Sequence, residues 1–190
     1  MTLTKKQPML YPGMKSSGVE FFVFEDEMNF IANGEIKPIL NAPFSILQLT
    51  KEEILKNSEV DAALKIMHPT SEFKRLIQFL ECRYGGLDYN PDIKDNQFGE
   101  PDYWDCPKRP NCEFNGLICK APKYKGSELT LLDIKLTKLL VTSATNETIA
   151  DMLNLAFGSF HKHKQSLYAK FGGIQTKQEL ALIAKSLNLI

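Results

Sequence analysis

Four cysteines are the residues of this sequence best suited to chemistry. They are Cys82, Cys106, Cys112 and Cys119, and the last three lie in the segment CPKRPNCEFNGLIC. Four thiolates are a complete ligand set for a tetrahedral Zn²⁺ ion or for a cubane iron–sulfur cluster. Because disulfides are rare in cytoplasmic proteins, we expect a metal site here rather than a cross-link.

The spacing of these cysteines leaves the kind of site open. They are separated by 23, 5 and 6 residues, without the two-residue spacing typical of zinc knuckles. A structural Zn²⁺ is the first interpretation, and an iron–sulfur cluster or plain buried or free thiols are the alternatives. Lys108, Arg109 and Lys120 favour a metal, since four thiolates leave the site negatively charged. A metal would also order residues 87–126, which are rich in Pro and Gly and lack periodicity.

Other groups that could catalyse a reaction are poorly arranged in this sequence. The acidic run at residues 25–27 and the Asp- and Tyr-rich segment 88–105 lack a nucleophile paired with a base, and also a glycine loop that could hold phosphate. His161 and His163 are two residues apart on a predicted helix, so they point to different faces and cannot share a metal. We therefore predict that the protein is not an enzyme.

The first half of the chain predicts a small domain of strands and helices. Residues 19–24 (VEFFVF) favour a strand, and Asn-Gly at 33–34 predicts a tight hairpin. A capping box that begins at Thr50 predicts a helix over residues 50–67. A second helix follows from about Thr70 or Ser71 and ends at the paired glycines 85–86. Residues 1–18 are polar and are expected to be poorly ordered, with no secretory signal.

The end of the chain has a helical pattern from Glu128 to the last residue. Thr130 and Thr176 begin capping boxes, and Asn146 is a good N-cap. We expect four short helices that bury apolar side chains, among them Leu132, Leu136, Leu139, Leu140, Ile149, Met152, Leu153, Phe160, Leu167 and Phe171. Lys162, His163 and Lys170 are expected on the outside.

The distribution of charge separates the chain into parts, although the formal net charge is zero. Residues 1–105 hold 11 basic and 17 acidic side chains, residues 106–126 hold 5 and 1, and residues 127–190 hold 7 and 5. A basic end on an acidic body is typical of nucleic-acid binding. We predict an α+β chain with an N-terminal α/β domain (1–120), a basic linker (121–127) and an all-α domain (128–190).

Residues 146–172 meet the spatial needs of a helix-turn-helix. Ala150 is a small residue where two helices would cross, and Asn154 tolerates the left-handed conformation of a tight turn. Leu155 and Phe160 would anchor the second helix. That second helix carries no acidic side chain and would present Lys162, His163 and Lys164.

Residues 128–190 resemble the LuxR/GerE-type DNA-binding domain along their whole length. The resemblance lies in LTLLD (129–133), in the leucine pair 139–140, in TNETIAD (145–151), in LAFGSFHKH (155–163) and in the ending YAKFGGIQTKQELALIAKSLNLI. The positions that match the family pattern are Leu129, Thr130, Asp133, Leu155, Ser159, Phe160, His163, Lys170, Gly172, Thr176, Glu179 and Leu180. Two positions depart from it: His161 replaces the usual Lys, and Phe157 replaces a polar residue.

The resemblance implies a four-helix domain whose third helix, from about Phe157 to Phe171, enters the major groove of DNA. It also implies that the last helix forms part of a dimer contact. The implied DNA-binding residues are Ser159, His161, Lys162, His163, Lys164 and Gln165. Lys162 and Gln165 would read base edges, and Ser159, His163 and Lys164 would mainly bind phosphates. The implied function is a sequence-specific transcriptional regulator.

The partners expected of such a regulator are double-stranded DNA, a second copy of the chain and RNA polymerase, without a membrane. The longest apolar runs are only a few residues, so we expect a cytoplasmic protein. A redox-sensing regulator, with the cysteines as iron–sulfur or thiol sensor, is the alternative. A protein-interaction module that keeps the fold is a further one.

Overall fold

The computed structural model describes residues 10–190 and has a mixed α+β architecture that divides into two compact units. The described part of the first unit runs from residue 10 to Pro101 and resumes at Cys106–Cys119, and the second unit comprises Asp102–Asp105 and Lys120–Ile190. The strands are β1 (Glu20–Phe24), β2 (Glu27–Ala32), β3 (Glu35–Pro38), β4 (Ile93–Lys94), β5 (Gln97–Phe98), β6 (Lys123–Tyr124) and β7 (Ser127–Glu128). The helices are α1 (Phe44–Leu55), α2 (Ser58–Met67), α3 (Glu72–Tyr84), α4 (Leu131–Leu140), α5 (Asn146–Met152), α6 (Phe157–Lys170) and α7 (Lys177–Ser186).

The first unit contains an antiparallel sheet of order β1-β2-β3, as the strand and hairpin patterns predict. Asn33 and Gly34 join β2 to β3 with φ values of 53° and 80°, the two positive angles of a type I′ turn. Phe21, Met28 and Phe30 are buried on this sheet and belong to the same core as the inner faces of α1, α2 and α3.

The helices α1 and α2 correct the prediction of one helix over residues 50–67. Thr50 is not an N-cap, because α1 begins six residues earlier and the Thr50 hydroxyl donates to the carbonyl of Ile46 at 2.8 Å. The helix ends at Leu55, and Asn57 then caps α2 by accepting the backbone N–H groups of Glu59 and Val60. A residue that favours a cap can sit inside a helix when its hydroxyl bonds back to the preceding turn.

The third helix agrees with its prediction. Ser71 caps α3 by accepting the backbone N–H of Lys74 at 3.2 Å, and the helix ends at Tyr84 before Gly85. The following segment, residues 87–126, contains the hairpin of β4 and β5 and a short 3₁₀ turn at Arg109–Asn111. Most of this segment is irregular, in agreement with its lack of periodicity.

The predicted linker over residues 121–127 differs in the structure. Strands β6 and β7 form a hairpin, and Tyr124 packs edge-on against the ring of Phe171 at 5.4 Å. This hairpin belongs to the second unit, and so do residues 102–105. The basic composition of the segment had suggested a connector, but its aromatic residue attaches it to the helical core.

The second unit packs α4–α7 around one apolar core. Both predicted capping boxes are present, formed by Thr130 with Asp133 on α4 and by Thr176 with Glu179 on α7. The cap of α5 is Thr145 rather than the predicted Asn146, which is the first residue of the helix. Met152, predicted to be buried, is 62% exposed.

The predictions for residues 1–18 lie partly outside the described residues, which begin at residue 10. Within the described part, Pro12, Gly13 and Gly18 are buried, so residues 10–18 pack more closely than their polar composition predicts. No helix of residues 10–190 is long and apolar enough to cross a bilayer.

Candidate nucleic-acid interface and cysteine site

A four-residue connection joins α5 to α6. Asn154 has φ 52°, the left-handed conformation expected at this position. The backbone N–H of Leu155 donates to the carbonyl of Ala150 at 2.9 Å, and Ala150 is 1% exposed. The small side chain of Ala150 therefore lies inside the core at the connection between the two helices.

The inner face of α6 is apolar and buried. Phe160 and Leu167 are 0% exposed, and Phe171, which follows the helix, is 1% exposed. These three side chains belong to the core of the second unit. Because these side chains lie in the core, they determine which face of α6 points outward.

The outer face of α6 carries the side chains for which the resemblance implied DNA binding. Five of the six are exposed: Ser159, His161, Lys162, His163 and Gln165. The sixth, Lys164, is half-buried, and its Nζ lies 3.5 Å from Oδ1 of Asn146 and 5.5 Å from the centre of the Tyr168 ring. No residue of α6 is acidic, so the exposed face is a polar and cationic surface.

Lys170 corrects the prediction that it is free on the outside. Its Nζ lies 2.6 Å from Oδ2 of Asp133, and its side chain is 29% exposed. Burial acts to raise the pKa of Asp133, but hydrogen bonds from Lys170 and from the backbone and hydroxyl of Thr130 outweigh it, so the pKa is lowered. Lys170 therefore holds α6 to the start of α4.

Phe157 and His161, the two departures from the family pattern, contact each other. Their ring centroids are 4.4 Å apart at an interplanar angle of 89°, and Phe157 also lies against Phe160. The edge-to-face contact holds the imidazole of His161 at the outer edge of α6. Phe157 is 45% exposed, so it acts as a partly covered support.

The structure brings two of the four cysteines into direct contact. Cys82 on α3 and Cys119 are buried, at 7% and 3% exposure, and their thiols are hydrogen-bonded. This hydrogen bond and burial raise the pKa of Cys82, which is the proton donor. The same hydrogen bond lowers the pKa of Cys119 to about 7, against a smaller effect of burial and with help from the charge of Arg109.

Hydrogen bonds of Arg83 and Cys82 hold the cysteine loop against α3, and further contacts lie within the helix or within the loop. The Arg83 side chain donates from Nε to the carbonyl of Ile118 at 2.7 Å, next to Cys119. Nε2 of Gln78 lies 3.3 Å from the sulfur of Cys82. The pKa of Cys106 is raised, chiefly by burial, although the backbone N–H of Lys108 donates to its thiol. Backbone N–H groups directed at sulfur stabilise a thiolate.

The four thiols do not converge on one point. Within residues 10–190, no group of three or more potential ligands with their donor atoms within 4.8 Å of one another contains a cysteine. Cys106 is close enough to Cys119 for the charge of one thiolate to raise the pKa of the other, and Cys112 is half-buried. Four cysteines are suitable ligands for zinc or for an iron–sulfur cluster. The contact between Cys82 and Cys119 brings two of these four thiols together.

Two buried acids in the first unit were missed by sequence reasoning. Glu20 and Asp92 are 0% and 1% exposed. Glu20 accepts the backbone N–H of Asp88 at 2.8 Å, and Asp92 accepts that of Phe21 at 2.6 Å. They join the segment after α3 to β1. Glu20 interrupts the apolar strand VEFFVF, and this was the one signal that could have indicated a structural acid.

Comparisons with known proteins do not extend this description. No protein-family model, no curated protein and no solved structure matches the chain. The geometry of α6 and of the cysteine loop is therefore the basis for a function.

Proposed function

We propose that the protein is a sequence-specific DNA-binding transcriptional regulator whose second unit is a LuxR/GerE-type helix-turn-helix domain. The observation that carries this proposal is the outer face of α6. Its polar and cationic side chains are exposed while Phe160 and Leu167 hold the opposite face in the core. An α-helix of this kind fits the major groove of B-DNA.

The side chains of α6 divide into two roles in this proposal. Lys162 and Gln165 are exposed and long enough to reach base edges. Ser159, His163 and Lys164 bind phosphates, which fixes the position of the helix on the duplex. His161 stands where the LuxR/GerE family has lysine, and it lies on the same exposed face of α6.

Binding to duplex DNA over a series of salt concentrations tests the proposal. Fluorescence anisotropy with labelled duplexes from a randomised pool, enriched for binding, gives the affinity and its salt slope. We expect a linear fall of log K with log salt, because each neutralised phosphate releases counterions. Lys162→Ala should weaken binding to the selected sequence by about 1–3 kcal/mol.

Lys135→Ala is the matched control for this experiment. Lys135 is exposed on α4 and is not part of α6, so its loss should leave the affinity for the selected sequence nearly unchanged. Equal losses for the two variants, or no binding of the unaltered protein to any duplex, would contradict the proposed function.

We also propose that Cys82, Cys106, Cys112 and Cys119 hold a structural Zn²⁺, whose binding would draw Cys106 and Cys112 toward the pair formed by Cys82 and Cys119; an iron–sulfur cluster or a thiol sensor is the alternative. The contact between the buried thiols of Cys82 and Cys119 favours it, together with the N–H donated to Cys106. A bound metal supplies cross-links between α3 and the irregular loop. Arg109, which is 7% exposed and raises the thiolate character of Cys119, offsets the negative charge.

Elemental analysis and visible spectroscopy of anaerobically purified protein test the metal site. Equimolar zinc supports the structural site, and brown protein with iron and sulfide supports the cluster. Cys112→Ser should lower the metal content, whereas Asn111→Ser, a neighbouring exposed position, should not. If protein from cells grown with zinc contains no metal, the metal site is refuted and the four cysteines are ordinary thiols.

A further inference from the structure

Two lysines from different helices approach the short stretch of residues 144–146 at the start of α5. Lys164 lies in the middle of α6, and Lys177 is the first residue of α7. Nζ of Lys164 is 3.5 Å from Oδ1 of Asn146, and Nζ of Lys177 is 3.4 Å from the carbonyl oxygen of Ala144. Both side chains are half-buried.

Among the residues that the structure describes, neither ammonium group is paired with an acid. Within residues 10–190, the ion pairs of the second unit join Lys138 to Asp105 and Lys170 to Asp133, and none involves Lys164 or Lys177. The pKa of Lys164 is lowered, chiefly by burial and next by the positive charge of Lys177, so the two cations repel each other. Two like charges held together without a counter-charge form a site that an anion would stabilise.

The donors of this pair are only partly used. An ammonium group has three N–H donors, and one from each lysine is directed at Asn146 or Ala144. The remaining donors can bind the oxygens of one phosphate. Lys164 shares α6 with the exposed Ser159, Lys162 and His163, so the lysine pair adjoins the surface proposed for DNA.

We infer that Lys164 and Lys177 together bind one phosphodiester of the DNA backbone, which makes α7 part of the DNA-binding surface. The inference rests on the proposed function and adds Lys177, which lies outside the helix that enters the groove. A phosphate held from both α6 and α7 fixes the rotation of α6 in the groove, because Lys177 holds it from outside the helix that reads the bases.

The salt dependence of DNA binding tests this pair. Removing one phosphate contact reduces the slope of log K against log salt by about 0.9. If Lys177→Ala leaves the affinity at 1 M salt unchanged, the smaller slope corresponds to a loss of affinity of about fivefold at 0.15 M salt. Lys177→Ala should show both changes with the selected sequence and with random sequence, because a phosphate contact carries no sequence information. Lys177→Arg should restore the slope, and Lys185→Ala, an exposed lysine at the other end of α7, should not alter it.

A second measurement separates this inference from the function on which it rests. NMR spectra of the full chain with lysine side chains labelled at Cε report the two ammonium groups while inorganic phosphate is added. Shifts of Lys164 and Lys177 at millimolar phosphate, with no binding of any duplex, would leave an anion site for free phosphate and refute the DNA function. Duplex binding with an unchanged salt slope in Lys177→Ala would refute the pair and leave the function intact. No shift and no duplex binding would refute both.

Discussion

The ion pair between Asp133 and Lys170 makes the stability of the second unit depend on pH in a defined direction. We consider the substitution Asp133→Asn, which keeps an oxygen to accept the N–H of Thr130 but removes the charge. The Asp133 side chain is 11% exposed and that of Lys170 is 29% exposed. Exposed pairs contribute about 0–1 kcal/mol, and breaking a buried pair costs about 3–5 kcal/mol. For this intermediate exposure we expect a loss of about 2 kcal/mol in the free energy of unfolding at pH 7.

The sign of the pH dependence follows from the lowered pKa of Asp133. In the unfolded chain an aspartate titrates near about 3.9. Above that pH the carboxylate is charged in both states, and its contribution to stability is fully present. The contribution is lost as the pH falls through the lower pKa of the folded state. The difference between the original protein and Asp133→Asn should therefore be constant from pH 7 to about pH 5 and should shrink below about pH 4.

Urea unfolding followed by tryptophan fluorescence measures this difference. The chain has a single tryptophan, Trp104, and it belongs to the second unit, so its emission reports that unit. With a slope of about 1–2 kcal/mol per molar urea, a loss of about 2 kcal/mol shifts the midpoint by about 1–2 M.

Glu179→Gln is the matched control. Glu179 also closes a capping box but has no ion pair among the described residues, so its effect at pH 7 should be smaller. A difference between Asp133→Asn and the original protein that stays unchanged down to pH 3.5 would refute the assignment to the ion pair. Equal stability of the two at pH 7 would refute it as well.

Three further predictions concern the helices of the second unit. Phe160→Ala should lower the free energy of unfolding by about 3–5 kcal/mol, because the ring is fully buried. Phe157 is half-exposed, so Phe157→Ala should lower it by less than about 1 kcal/mol. Urea titrations compare the two variants. Asn154→Val should cost about 1–2 kcal/mol, since a β-branched residue disfavours φ 52°, and Asn154→Gly should not; equal thermal unfolding midpoints would contradict this. Leu182 is 72% exposed on α7, so Leu182→Glu should shift a homodimer to monomer in sedimentation experiments, and an unchanged mass would argue against α7 as the dimer contact.

Local signals account for much of the fold. Asn33-Gly34 predicted its hairpin, Ser71 predicted the start of α3, and Thr130 and Thr176 predicted two capping boxes, all of which the structure contains. These features depend on a few neighbouring residues, so composition and spacing are sufficient. The prediction at Thr50 was wrong for the same reason, because a capping pattern of neighbours cannot show that the helix already begins at Phe44, with Ile46 buried in the core.

The candidate site was predictable on α6 and less so elsewhere. The exposure of Ser159, Lys162 and Gln165 follows from the helical spacing of the buried residues. The pairing of Lys170 with Asp133 joins residues 37 positions apart, and no local pattern indicates it. The contact of Lys164 and Lys177 with residues 144–146 likewise depends on the packing of three helices.

The sequence alone determined where α4 and α7 begin and which side chains of α6 face the core. Both properties follow from hydrogen bonds and apolar spacing within one or two turns of chain. Only the tertiary structure decided which charges are paired and which are free, and which two cysteines meet. The distance between two side chains far apart in sequence is set by how whole elements pack, and the sum of many weak contacts decides that packing.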